Sequence, residues 1–220
     1  EAAEKLGDAE EQLDEGRAEL IPAAVAEDQE NPLVSIIVPC FNQASFIGEA
    51  LDSVLSQSYV DWQCVVIDDG SKDQSVEKIQ AMLPVCEQRF ERVYFNTRPN
   101  KGLCATLNEA LALCYGTFVS IIASDDLMLA EKIQLQVNYA SAYPEVTSFY
   151  GGVQLIDFNG EISKVVHRPL EYYTFESILT HNFVLYAPTQ FHRLKDVVEI
   201  GGFDPNVKIE DWDFLLRLTH

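Results

Sequence analysis

Positive charge is scarce in this 220-residue chain: 15 lysines and arginines stand against 35 aspartates and glutamates, a net charge of −20. Such a surface repels a polyphosphate backbone, which argues against nucleic acid as a partner. An acidic protein that handles phosphates does so most simply through a bound divalent metal. Long apolar runs are also missing. None approaches the ~20 residues of a membrane-spanning helix, and no signal-like basic segment opens the chain. The five cysteines, Cys40, Cys64, Cys86, Cys104 and Cys114, are odd in number and show no C-x-x-C spacing. Neither a disulfide framework nor a zinc site is indicated, and buried reduced thiols of a cytosolic protein are the expectation. His167, His181, His192 and His220 lack metal-ligand spacing. The absence of G-x-x-x-x-G-K-[ST] and G-x-S-x-G disfavours a P-loop NTPase and an α/β-hydrolase.

What is present suffices for a core, since 47% of the residues are hydrophobic. The chain divides near Pro32. Residues 1–31 read as an acidic helical linker or the end of an upstream domain, rich in Ala, Glu and Asp with Lys5 and Arg17 as its basic residues. Leu6, Leu13 and Leu20 recur every seven positions, but Ala3, Glu10 and Arg17 in the companion positions make a poor coiled-coil seam. Glu1 is not an initiator methionine and the last residues, Phe214 to His220, look helical to the end. A piece of a longer protein, truncated at the C-terminus and with upstream and downstream domains, is therefore expected.

From Leu33 onward strand and helix patterns alternate. Leu33 to Val38 is an apolar run interrupted only by Ser35 and stopped by Pro39, as expected of a strand buried on both faces. Phe46, Ile47, Ala50, Leu51, Val54 and Leu55 form one helical stripe, with Ser45 as its expected N-cap. Cys64 to Ile67, Val93 to Phe95 and Phe118 to Ile122 read as further strands. Helices are expected around Val76, Ile79 and Leu83, around Leu103, Leu107, Ala110, Leu111 and Cys114, and over Leu129 to Tyr143. This order predicts an α/β fold with a mainly parallel sheet covered by helices. After Tyr143-Pro144 the rhythm changes. Val146 to Ile156 and Glu161 to Val166, joined through Asp157-Phe158-Asn159-Gly160, read as a smaller antiparallel part.

Polar clusters follow the apolar runs: Pro39-Cys40-Phe41-Asn42, Asp68-Asp69-Gly70-Ser71 and Ser124-Asp125-Asp126, with Glu210-Asp211-Trp212 further on. Ligands of open α/β sheets bind beyond the carboxyl ends of the strands, so the first three clusters are expected to converge on one crevice.

The stretch Val34 to Asn42, Val66 to Ser71, Asn100-Lys101-Gly102 with Asn108, and Ser124-Asp125-Asp126 resemble, in order and spacing, the nucleotide-sugar half of family 2 glycosyltransferases. Gly201-Gly202-Phe203-Asp204 and Glu210-Asp211-Trp212-Asp213 resemble that family's acceptor-side motif, so the resemblance spans about residues 33–220. It implies a GT-A type fold, with a donor half over about 32–128 and an acceptor half over about 129–220. It also implies a UDP-sugar donor, a divalent metal, Mn²⁺ or Mg²⁺, and inversion at the anomeric carbon. The implied acceptor is a glycan or lipid-linked glycan, in polysaccharide or glycoconjugate biosynthesis. The implied setting is the cytoplasm, with peripheral association at the inner face of the membrane.

Individual residues carry readings of their own. Phe41 offers a flat apolar face for a nucleobase, or is core. Pro39 fixes the chain as it leaves the strand, Asn42 belongs to the same tip, and Gly102 permits close backbone approach or a positive φ. Asp69 is an acceptor suited to the uracil N3–H, a role the resemblance favours, while Asp68 or Ser71 can fill the local turn role. Lys101 and Arg98 face the diphosphate or, as basic side chains usually do, solvent, which is the expectation for each. Asp125 and Asp126 are the expected metal and diphosphate ligands, hard oxygen donors, or else Asp126 caps the next helix. Ala123 stands where relatives often carry a further aspartate, and Leu107 where many carry an arginine. The resemblance assigns the acceptor's general base to Asp211, with Glu210 second; an acidic helix start is the structural alternative. Trp212 is a sugar platform or a core residue. Gly201-Gly202 makes a tight turn that brings Phe203 beside the site. Two other functions remain: a nucleotide-sugar-binding scaffold without turnover, motivated by Ala123 and Leu107, and a sugar nucleotidyltransferase, which would want a basic glycine-rich triphosphate loop.

Overall fold

A computed structural model describes residues 33–89, 93–207 and 209–220, so the acidic segment 1–31 lies outside the described residues. Four strands, β1 (Val34–Cys40), β2 (Trp62–Asp68), β3 (Val93–Thr97) and β4 (Phe118–Ile121), run parallel in the order β3-β2-β1-β4. The sheet continues through β8 (Phe191–Arg193) to β5 (Ser148–Phe149), with β8 antiparallel to both neighbours. β6 (Val153–Ile156) and β7 (Ile162–Val166) form a separate antiparallel pair.

Strand periodicity distributes the central side chains between two faces. Val34, Ile36 and Val38 face one core with Ile47, Leu51 and Val54 of α1 (Ile47–Leu55), Ile79 of α2 (Ser75–Arg89), and Ile133 and Val137 of α4 (Lys132–Ala142). Ile37, Val65 and Ile67 face the other. Their partners are Leu107, Ala110 and Leu111 of α3 (Leu103–Leu111), Leu194 and Val197 of α6 (Leu194–Glu199), and Phe214 and Leu218 of α7 (Glu210–Thr219). Ile36 and Ile37 are fully buried, each side chain contributing about 1.5–3 kcal/mol by leaving water. Among the described residues no helix is long and apolar enough to cross a membrane.

Several boundaries differ from the sequence reading. Pro39 does not stop β1, which pairs with β2 through Pro39↔Ile67 and Cys40↔Asp68. The carbonyl of Ile37 accepts from Ile122 on the β4 side, and that of Cys40 from Asp69 on the β2 side. By alternation Pro39 faces β4 beyond the last β4 pair, Ile37↔Ile121, where its missing N–H disrupts no ladder. Ser45 does not cap α1; the amides of Phe46 and Ile47 both bond the Gln43 carbonyl. The helix expected from Leu129 begins at Lys132. Gln57, fully buried, donates to the Leu129 carbonyl (2.9 Å) and accepts from the Ile133 amide (3.1 Å), fixing an irregular entry.

The strand expected over 146–156 is split between β5 and β6 at Gly151-Gly152, where a Cβ on Gly152 would lie 2.3 Å from the Val166 carbonyl oxygen. The 157–160 turn is as expected, with Asp157 Oδ1 accepting from the amides of Asn159 and Glu161. The sequence reading contained neither β8, α6, α5 (Phe175–Leu179) nor the 3₁₀ turn Ala187–Thr189.

Candidate active site

The tips of β1 and β2 are laced together. Asn42 sits at φ 54°, its amide donating to Ser71 Oγ (2.8 Å) and its Oδ1 accepting from the Lys72 amide (2.7 Å). Asp68, fully buried, fills the turn role: Oδ2 accepts from the amides of Gly70 and Ser71 (both 3.1 Å) and from Thr97 Oγ1 (2.8 Å). Asp69 is thereby released for another task. Its Oδ1 accepts from the Lys101 amide (2.8 Å) and from Arg98, and its Oδ2 from the Gly102 amide (3.0 Å). Three of about four acceptor positions are filled, leaving one on Oδ2.

Arg98 corrects the sequence reading. Its side chain is 9% exposed, bonded to Asp69, to Glu109 (2.8 Å) and to Thr106 Oγ1 (3.0 Å), and its guanidinium holds Glu109 below the usual carboxylate range. Gly70 requires a positive φ, 78°, and a Cβ there would lie 2.7 Å from the Asn100 amide nitrogen. Gly102, at φ 88°, opens α3. Phe41, 46% exposed, is not core and leaves its ring open beside this web.

The acidic station follows β4. Asp125 is exposed and accepts from Gln43 Nε2 (3.1 Å), which ties it to the β1 tip. Asp126 is half-buried in a turn closed by its own amide on the Ala123 carbonyl (3.1 Å). It caps no helix, because α4 starts at Lys132. Burial, with Asp125 adding to it, pushes the Asp126 carboxyl above its ordinary range. Behind it Lys132 Nζ donates to Ser120 Oγ (2.8 Å), and burial draws the lysine down to about 7 against the pull of Asp126. Ser120 Oγ donates to the Gln190 carbonyl (3.0 Å), and fully buried His192 links Gln190 Oε1 (3.1 Å) and Ser148 Oγ (2.7 Å). Burial lowers His192 to about 3, so the ring is neutral.

A cavity of about 450 Å³ joins this station to α7: Pro39, Ala123 and Asp126 line it together with Glu210, Asp211 and Trp212. Glu210 and Asp211 occupy the first turn of α7, the acidic helix start foreseen as the structural alternative, and both still face the cavity. Asp213 is bound instead to Arg217 (2.7 Å). Trp212 is half-buried, donates from Nε1 to the Ile178 carbonyl (2.9 Å) and stacks on His181 at 4.3 Å. Gly201 and Gly202, at φ 80° and 69°, make the expected turn and place Phe203 in the cavity wall, stacked on Phe214 at 4.5 Å.

The structure thus brings Pro39, Asp126, Glu210 and Asp211 around one cavity. Phe41, Asn42, Asp69, Gly102 and Asp125 are not in its wall. The first four form the group around the β1 and β2 tips, and Asp125 lies at its junction with the acidic station. His181, Phe183 and Tyr150 also line the cavity, and sequence reasoning missed them. Lys132 and His192 lie behind it. A lone histidine or tyrosine outside any motif gave no signal. His220 packs edge-on against Phe175 at 5.2 Å.

Among the described residues no group of three His, Cys, Asp or Glu side chains is placed to hold a metal by itself. Asp125 and Asp126 nevertheless fit one. Mg²⁺ and Mn²⁺ take oxygen donors, and one or two carboxylates completed by substrate phosphates and water are a usual set. Burial and, after it, the neighbouring Asp125 charge raise the Asp126 carboxyl, and a cation would favour its ionised form.

A parallel sheet with acidic strand tips, facing a helix across a cavity, defines a GT-A type domain. The chain belongs to glycosyl transferase family 2, whose family model matches residues 35–199. A protein of Rickettsia bellii (strain RML369-C), described as an uncharacterized glycosyltransferase, is 33% identical over 199 residues; the match covers 85% of this chain and 27% of that protein. S. aureus TarS 1–349 in complex with UDP-GlcNAc has a similar structure, with a TM-score of 0.65 and 20% identity over 84% of this chain and 53% of that one. The mannosyltransferase PcManGT from Pyrobaculum calidifontis, in complex with GDP-Man and Mn²⁺, gives a TM-score of 0.62 and 20% identity over 92% of this chain and 56% of that one.

Proposed function

We propose that this chain is the catalytic domain of an inverting, metal-dependent glycosyltransferase that moves a sugar from a UDP-sugar to a hydroxyl of a glycan or lipid-linked glycan. The observation that carries this reading is the placement of Asp126 and Asp211 on one cavity. Family membership supports sugar transfer, and similar folds accept nucleotide sugars, with Mn²⁺ in one case.

Residues 32–128 supply the donor half. Phe41 stacks on the base, and the free position on Asp69 Oδ2 takes the uracil N3–H, a donor that cytosine lacks. Asn42 shapes the β1 tip, and the Gly102 backbone, held on Asp69, approaches the donor closely. Pro39 lines the way to the sugar. Asp126 and Asp125 would hold the divalent cation, which would supply positive charge against the departing diphosphate. Residues 129–220 supply the acceptor half. Asp211 takes the proton of the attacking hydroxyl as its oxygen bonds the anomeric carbon, and the bond from that carbon to the diphosphate oxygen breaks on the opposite face. Configuration inverts, and Glu210 reinforces the local negative charge.

Incubating the full-length protein with a panel of UDP-sugars and oligosaccharide acceptors, and separately with nucleoside triphosphates and sugar phosphates, tests the reading. Release of UDP with formation of a glycosidic bond is expected. Release of pyrophosphate marks a nucleotidyltransferase, and UDP binding without turnover marks a scaffold; either overturns it.

A further inference from the structure

A second cleft, of about 560 Å³, lies on the far side of His181 from the catalytic cavity. Arg168, Glu171, Tyr172, Tyr173, His181 and Phe183 line it, and His181 and Phe183 also line the catalytic cavity. Four rings run from one space to the other: Tyr173 meets Phe183 edge-on at 6.4 Å, Phe183 stacks with His181 at 6.2 Å, and His181 stacks on Trp212 at 4.3 Å. His181 holds φ 54°, uncommon for a residue with a Cβ, and its ring joins both spaces.

We propose that this cleft is a second acceptor subsite, which binds a neutral sugar unit adjoining the one whose hydroxyl is glycosylated. The acceptor is then an oligosaccharide of at least two units. The inference rests on the transfer reading above for the direction in which the acceptor lies.

The chemistry of the walls selects a neutral carbohydrate. Aromatic faces carry negative charge that attracts the C–H face of a pyranose ring. Tyr172, 61% exposed, and the Tyr173–Phe183 pair supply such faces. The polar wall is a closed triad. Arg168 Nη2 donates to Glu171 Oε2 (3.0 Å) and to Tyr173 Oη (2.7 Å), and Tyr173 Oη donates to the same Glu171 oxygen (2.6 Å). These contacts use one nitrogen of the guanidinium and one oxygen of the carboxylate. The remaining N–H groups and Oε1 suit a pair of neighbouring hydroxyls, one accepting and one donating. A phosphate is the obvious rival ligand for an arginine, but here Glu171 cancels the charge of Arg168 at the site itself.

The test measures binding by the full-length protein of chito-, cello- and malto-oligosaccharides of one to four units, by ligand-observed NMR, with UDP affinity as an independent reading. The disaccharide of at least one series is expected to bind roughly tenfold tighter than its monosaccharide, the worth of one or two added hydrogen bonds. Tyr173→Phe and, separately, Arg168→Gln should reduce that ratio to about threefold or less. A ratio near one throughout, binding by no member of the panel, or a ratio unmoved in both variants overturns the subsite. So does displacement of bound sugar by inorganic pyrophosphate in EDTA, which marks an anion site. Loss of UDP binding with the length dependence intact would instead sink the donor reading alone.

Discussion

Asn108 grips the backbone of Phe203 at both ends, Oδ1 accepting from its amide (2.9 Å) and Nδ2 donating to its carbonyl (2.7 Å), across 95 residues of sequence. One side chain on α3 thereby fixes the turn that leads to α7 and Asp211. Its geometry explains the glycine pair, since a Cβ on Gly202 would lie 2.5 Å from Asn108 Oδ1.

Asn108→Ala leaves both groups of the Phe203 backbone without this partner and should cost roughly 1–3 kcal/mol of stability. Gly202→Ala, which meets the same amide at φ 69°, should be comparably harmful. Urea denaturation checks both. Because the clash in Gly202→Ala is with Asn108, the double variant should lose less than the sum of the two single ones, and strict additivity would contradict the account.

The web around Asp69 changes what its mutation reports. Asp69→Ala removes the partner of the Lys101 and Gly102 amides and of the buried Arg98, so it should lower stability by about 3 kcal/mol or more as well as weaken UDP. Asp69→Asn retains the side chain's shape and one acceptor oxygen. Calorimetry with UDP on the folded Asn variant should still show weaker binding, and unchanged affinity would remove Asp69 from base recognition.

The parallel core was legible because its strands announce themselves: 64–67 is a continuous apolar run, and 34–38 and 118–121 are apolar but for Ser35 and Ser120, the mark of burial on both faces. The clusters after them were legible through chemistry and family resemblance. What escaped depends on distant partners. β8 is three residues long, and its central His192 is buried only because Ser148 and Gln190 satisfy the ring. Arg98 was placed in solvent by composition, whereas Asp69 and Glu109, remote from each other in sequence, draw it inward. The start of α4 is set by Gln57, some 75 residues earlier. The ring series through His181 has no periodicity to read.

Lys132 gives the fold a pH dependence of known sign. Unfolded, it titrates near its ordinary ~10.4; folded, burial holds it at about 7. Between these values the unfolded chain keeps a proton that the folded chain has lost, so stability rises with pH over that window. The penalty is fully present below about 7 and fades towards 10. Lys132→Met should therefore stabilise the protein most at or below neutral pH, with the gain shrinking as pH climbs. Denaturation midpoints for both proteins from pH 6 to 10 check this, and parallel curves would refute it.

The sharpest prediction separates the two acidic walls of the cavity. Asp126 sits in the turn after β4, with a carboxyl pushed up by burial and by Asp125, so a cation there would favour its ionised form. Asp126→Ala should weaken Mn²⁺-dependent UDP binding together with transfer, because Asp126 would be a ligand of the cation that offsets the diphosphate's charge. Asp211 lies at the start of α7, on the same cavity. Asp211→Asn is nearly isosteric and should bind UDP and Mn²⁺ as the parent does, yet transfer on the order of 10²-fold more slowly or worse, since the amide cannot take the hydroxyl proton. Both variants are measured for UDP affinity with and without Mn²⁺ and for sugar transfer by the full-length protein. Near-normal transfer by Asp211→Asn would pass the base to Glu210, its neighbour on the same cavity. Unchanged metal-dependent affinity in Asp126→Ala would leave Asp125, bonded to Gln43 at the β1 tip, as the ligand that matters.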